Sequence, residues 1–147
     1  MTVLARIEKD YIDALKAKEE LRVSVLRMVK AALKNAKIAA GKELADEEVL
    51  KEIQREAKKH RETIMAVAQA GREDLRSREE AELKILEAYL PQQLSDAEIE
   101  TAVQKLIAEQ EWTVQDFGSA MGMAMARLKG QADGGRVSEI LKRLLSS

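Results

Sequence analysis

Residues 21–38 read LRVSVLRMVKAALKNAKI, and the spacing inside this stretch decides the fold. Leu21, Val25, Met28, Val29 and Ala32 recur at intervals of three or four, the period of an amphipathic helix. Arg27, Lys30, Lys34 and Lys37 stand at i, i+3, i+7 and i+10, which gathers them on the other face. The stretch therefore predicts one helix from about Glu20 to Ala39, stopped at Gly41, where glycine serves as a C-terminal signal.

The same reading extends in both directions. Leu4, Ile7, Tyr11, Ala14 and Leu15 fall at helical spacing and give a first helix. Asp46 precedes EEVLKEIQREAKKHRETIMAVAQA, a long helix with acids in its first turn, halted at Gly71. In REDLRSREEAELKILEAYLP, Asp74 is placed to cap the start, and Ser77 with Glu80 has the form of a capping box. Pro91 biases Leu90 away from the helical region, so this helix is expected to finish there. Ser95 and Glu98 form an S-x-x-E box opening a helix to about Gln110. Thr113 and Asp116 open another, DFGSAMGMAMARLK, which ends at Gly130, and RVSEILKRLL supplies a last short one. The expectation is an all-α protein with an N-terminal helical domain, 1–91, and a C-terminal three-helix domain, 92–147. Leu90-Pro91-Gln92 is the candidate hinge between them.

Composition agrees. Hydrophobic residues make up 46 % of the 147 and aromatics only 3 %, with one Pro, so the core has to be aliphatic, the material of packed helices. The absence of Cys excludes disulfides, thiol nucleophiles and thiolate metal sites. No apolar run approaches the roughly 20 residues that span a bilayer. A cytoplasmic protein without a membrane partner is expected. The net charge of −1 argues against polyanion binding by the whole surface and directs attention to local patches. Residues 1–91 carry a net +1, 92–112 a net −4 and 113–147 a net +2.

The strongest patch is the Arg27–Lys37 comb, extended by Lys16, Lys18, Arg22 and Lys42. Facing solvent, it is a track for a phosphate backbone, since each neutralised phosphate releases counterions. A solvated helix face is the plainer alternative. Lys51, Arg55, Lys58, Lys59 and Arg61 are laced with glutamates and read as surface ion pairs. His60, the single histidine, falls with Ile53, Ala57 and Ile64 at the border of the apolar face and reads as structural. Asp74, Glu79, Glu80 and Glu82 read as acids that favour a helix start. Gly118 and Gly122, four apart, suggest close approach of another helix. In LKGQADGGRVSEIL, residues 128–141, three glycines fall within six positions. Neither a P-loop nor a dinucleotide loop is present. Gly130 past a helix end and Asp133 before the next one make a corner, and Arg127, Lys129 and Arg136 beside a helix N-terminus offer an anion contact.

Several of these segments together resemble one family. LRVSVLRMVKAALKNAKI resembles its first basic motif. AGREDL followed by EEAELKILEAYLPQQLSDAEI resembles its central signature, through Y-L-P and S-x-x-E-[IL]. DFGSAMGMAMARLKGQADGGRVSEIL resembles its closing motif, with M-G…K-G-x-A-D-G. This is the GatB/YqeY family, small free-standing proteins similar to the C-terminal tail of the GatB component of the glutamyl/aspartyl-tRNA amidotransferase. In place of the family's Lys/Arg-Gln-Arg element this chain has Lys58-Lys59-His60-Arg61.

The resemblance implies an N-terminal helical part joined to a three-helix domain, and a role in holding tRNA. By motif match it carries over Arg27, Lys30, Arg72, Lys129, Gly130, Asp133 and Gly134. It also implies a carbon–nitrogen ligase label, with glutamine as amido donor, although the chain shows no catalytic constellation for that reaction. The expected function is a non-catalytic module in translation that binds tRNA or other structured RNA. Its RNA-binding residues are Arg27, Lys30, Lys34, Lys37, Arg72, Arg127, Lys129, Gly130, Asp133, Gly134 and Arg136. No metal or cofactor is expected, and an aminoacyl-tRNA-linked protein complex is a further expected partner. The alternatives are a part of an amidotransferase and a helical protein–protein adaptor.

Overall fold

The computed structural model describes residues 1–146. Its helices are α1 (Val3–Ala17), α2 (Glu20–Ala40), α3 (Asp46–Gln69), α4 (Glu73–Glu87), α5 (Asp96–Gln110), α6 (Phe117–Arg127) and α7 (Gly134–Leu145), with a 3₁₀ turn at Val114–Asp116. No strand occurs among the described residues, so the protein is all-α. None of these helices is long and apolar enough to cross a membrane.

The helices fall into two compact units, Met1–Leu90 and Pro91–Ser147. In the first, α1 packs on α2 and α3 on α4, and α2 touches both α3 and α4. Val25, Leu26, Val29 and Leu33 of α2 are buried with Ile7, Val49, Ile53, Ala57 and Leu86. The buried arc of α2 is thus wider than the single apolar stripe read from the sequence, because three other helices cover it. One consequence is that Lys30, expected on an open face, is half-buried. In the second unit, Ile99, Val103 and Leu106 of α5 meet Ala120 and Ala124 of α6 and Val137, Leu141 and Leu145 of α7. The small alanines let α6 lie close.

Local signals set most of the boundaries. Gly41 ends α2 at φ 70°, and Gly130 follows α6 at φ 73°, both in the left-handed region that favours glycine. The Oγ of Ser95 accepts from the Glu98 amide at 3.2 Å, and Glu98 Oε1 accepts from the Ser95 amide at 3.1 Å, closing the expected capping box. This bonding holds the Glu98 carboxyl below its ordinary value. Its stabilisation is therefore present at neutral pH and lost as pH falls through the carboxylate range. Ser95→Ala is expected to cost about 1 kcal/mol, read as a lower urea midpoint with unchanged slope.

The start of α4 departs from expectation. Its N-cap is Arg72, which makes no side-chain cap bond, and Asp74 lies inside the first turn, where it accepts from the Arg72 guanidinium. Ser77 is mid-helix, and Glu80 pairs with Arg76 at 3.0 Å, so no box forms there. The helix ends at Glu87, short of Leu90, and Tyr89 and Leu90 turn into the core. Gly118 and Gly122 are exposed, and a Cβ built on either meets no neighbour within 4 Å. The expected close helix approach is absent there among the described residues.

Candidate nucleic-acid interface

The turn between α1 and α2 is tight because Lys18 takes a left-handed conformation, φ 57°, and its amide closes back on Ala14 and Leu15. The two helices then lie side by side, and the basic comb of α2 faces the flank of α1. Arg27, Lys30, Lys34 and Lys37 form one wall of an open groove of about 420 Å³. Leu4, Glu8 and Tyr11 of α1 form the other wall. Leu33 lies at the base, and Glu43 and Leu44, just past Gly41, close one end.

Each cation has a distinct setting. Arg27 donates through Nε and Nη2 to the Tyr11 hydroxyl, both at 3.4 Å. Lys30 holds its Nζ 4.4 Å from the centre of the Tyr11 ring, a cation–π contact that explains its partial burial. Lys37 pairs with Glu43 at 2.6 Å, both side chains largely exposed. Lys34 is exposed and has no ion-pair partner among the described residues. Four cations against Glu8 and Glu43 leave the groove net positive over an apolar floor. Such a net-positive groove attracts anionic groups.

The other carried-over residues are not among those lining this groove. Arg72 is exposed and held by Asp74. In the second unit, Arg127 and Lys129 are exposed. The corner after α6 is packed from within: Gly130 O accepts from Gln93 Nε2 at 2.8 Å, and Gln131 O accepts from the Leu94 amide at 2.9 Å. A Cβ on Gly130 would stand 3.3 Å from Pro91 Cγ. Asp133 occupies the N-cap position of α7 without a side-chain cap bond, and Gly134 begins the helix. Arg136 is turned inward, with Nε at 2.9 Å and Nη2 at 2.6 Å from Asp96 Oδ1 and with Nη2 at 3.3 Å from Leu94 O. The glycine-rich stretch is thus a packed corner fastened to residues 91–96, and Arg136 is one of its fasteners.

The structure brings Arg27, Lys30, Lys34 and Lys37 together, and adds Leu4, Tyr11, Leu33 and Leu44, which the spacing alone does not assign to a site. In the sequence Tyr11 is only one apolar member of α1. An aromatic with a hydroxyl at the edge of an amphipathic face is the available signal, but its meeting with α2 is a tertiary fact.

A family model described as Yqey-like protein matches residues 4–145. Among relatives, altered inheritance of mitochondria protein 41, mitochondrial, of Pyrenophora tritici-repentis is 28 % identical over 132 residues, covering 88 % of this chain and 73 % of that protein. The protein of the same name from Lachancea thermotolerans is 34 % identical over 110 residues, covering 72 % and 58 %. That of Vanderwaltozyma polyspora is 32 % identical over 114 residues, covering 74 % and 62 %. The chain therefore spans less than two thirds of the length of the last two.

Proposed function

As this chain belongs to the YqeY-like family, we propose that it is a non-catalytic RNA-binding module whose first unit grips tRNA, or another structured RNA, in the groove between α1 and α2. The observation that carries this reading is the wall of Arg27, Lys30, Lys34 and Lys37 in a groove whose apolar lining is Leu4, Leu33 and Leu44. Phosphates meet the cations, and that lining suits ribose and base edges, with little room for base-specific readout. On the other unit, the exposed Arg127 and Lys129 are proposed to contact phosphate. Arg72 and Arg136, held by Asp74 and Asp96, contribute less. The sequence carries no Cys and no nucleotide-binding loop, which is why amide-transfer chemistry is assigned to other polypeptides in any aminoacyl-tRNA-linked complex that the module joins. The proposed location is the cytoplasm. The relatives carry the word mitochondrial in their names, and the same chemistry serves any compartment that contains RNA.

Glu43 supplies a test. It competes with phosphate for Lys37, so Glu43→Gln is expected to tighten tRNA binding about two- to fivefold, the scale of an exposed ion pair. Fluorescence anisotropy with labelled tRNA at low salt measures this. Unchanged or weaker binding in the variant would remove Lys37 and Glu43 from the interface.

A further inference from the structure

We propose that His60, Glu79 and Glu82 bind a divalent transition cation of the zinc type, clamping α3 to α4. The site is separate from the RNA groove and does not depend on it. His60 lies on α3 and is 7 % exposed, the one buried polar or charged side chain among the described residues. Glu79 and Glu82 sit one turn apart on α4 and point to the same side.

The hydrogen bonding of the imidazole carries the argument. Nδ1 lies 3.0 Å from the backbone carbonyl oxygen of Glu56, which can only accept, so Nδ1 bears hydrogen. In the neutral ring Nε2 then presents a lone pair. That lone pair faces Glu82 Oε2 at 3.0 Å and Glu79 Oε2 at 3.8 Å. A lone pair aimed at two carboxylates is repulsive, so a positive species belongs between them. A hydrogen on Nε2 reaches Glu82 at 3.0 Å, whereas Glu79 at 3.8 Å stands beyond hydrogen-bond distance and meets only the charge of the ring. A cation serves all three.

The distances suit it. Zinc–nitrogen and zinc–oxygen bonds are about 2.0–2.2 Å, which places two donors on one ion about 3.0–3.5 Å apart at octahedral or tetrahedral angles. The three donor atoms all lie within 4.8 Å of one another, so small side-chain shifts close the set. The outer contacts are those that orient metal ligands. The Glu56 carbonyl fixes the imidazole tautomer, and Arg78 Nε holds Glu82 Oε1 at 3.2 Å, leaving Oε2 for the site. Arg78 is largely exposed and offsets only part of the double negative charge. One nitrogen and two carboxylate oxygens without thiolate favour zinc over softer ions, with water completing the shell.

The test uses the full chain freed of metal by chelation, titrated with Zn²⁺ by calorimetry and followed by thermal melting. One ion per chain and a higher melting temperature are expected. Glu79→Gln retains the His60–Glu82 contact but removes a ligand, so Zn²⁺ affinity is expected to fall about tenfold or more. His60→Gln is expected to abolish the site. With Co²⁺ as probe, a visible absorption band should appear in the wild type and vanish in His60→Gln. No saturable Zn²⁺ heat, or equal affinity in the wild type and both variants, would overturn the proposal and leave the cluster as a proton-mediated ion pair.

Discussion

Reversing two charges, Lys34→Glu with Lys37→Glu, is expected to lower tRNA affinity roughly a hundredfold at about 0.1 M salt. Each lost phosphate contact removes about 0.7–0.9 of the slope of log affinity against log salt. At about 0.1 M, two lost contacts cost between one and two decades, and repulsion by the new carboxylates adds to that. These positions are chosen over Lys30 because both side chains are exposed, whereas Lys30 packs on the Tyr11 ring and its replacement disturbs α1. Far-ultraviolet circular dichroism should be unchanged. Persistent tight binding with intact helicity would reduce the comb to a solvated helix face.

Tyr89→Ala is expected to destabilise the first unit by about 3–5 kcal/mol, the usual loss for a buried aromatic. The ring is buried beside Leu86 and Leu90, and its hydroxyl donates to Asp10 Oδ2. The Arg6 guanidinium lies 4.7 Å from the ring centre and also donates to Ala88 O, and Arg22 stands 3.8 Å from the same Asp10 carboxylate. Burial first, then the bond to Asp10, raises the phenol pKa, so the hydroxyl remains a donor across the working pH range. One side chain thus fastens the end of α4 to α1, the helix that forms one wall of the basic groove. Since whole proteins hold only about 5–15 kcal/mol, this loss should bring the unit close to unfolding. Tyr89→Phe keeps the ring and isolates the hydroxyl, with an expected cost of about 1–3 kcal/mol. Urea midpoints read by circular dichroism measure both. A shift under about 1 kcal/mol for the alanine variant would contradict the assigned role.

Tyr89 also shows what a sequence does and does not disclose. It stands in the Y-L-P element by which the sequence resembles the family, but its partner Asp10 is 79 positions away, and no spacing rule connects them. The helices themselves are legible because their signals are local: periodic apolar residues, Gly41 and Gly130 at left-handed turns, and the Ser95–Glu98 box. Where local signals compete, reading fails. Asp74 and Ser77 both look like starts for α4, yet the chain begins the helix at Glu73, because Arg72 engages Asp74 and Arg76 engages Glu80. The basic comb is legible for the same local reason, while the wall opposite it is not, since α1 supplies Tyr11 and Leu4 through tertiary packing. His60 stands alone in the sequence. Its carboxylates arrive from the next helix, Glu82 being 22 residues on, and along the chain the acids of α4 look only like residues that favour a helix start.

The central claim, that the α1–α2 groove grips an RNA backbone by charge, is tested most directly by binding of the intact chain to tRNA over a series of salt concentrations. The predicted result is a steep linear fall of log affinity with log salt, with a slope of about −2 to −4 set by the groove's few cations. A flat salt dependence, or no binding at low salt, would contradict it.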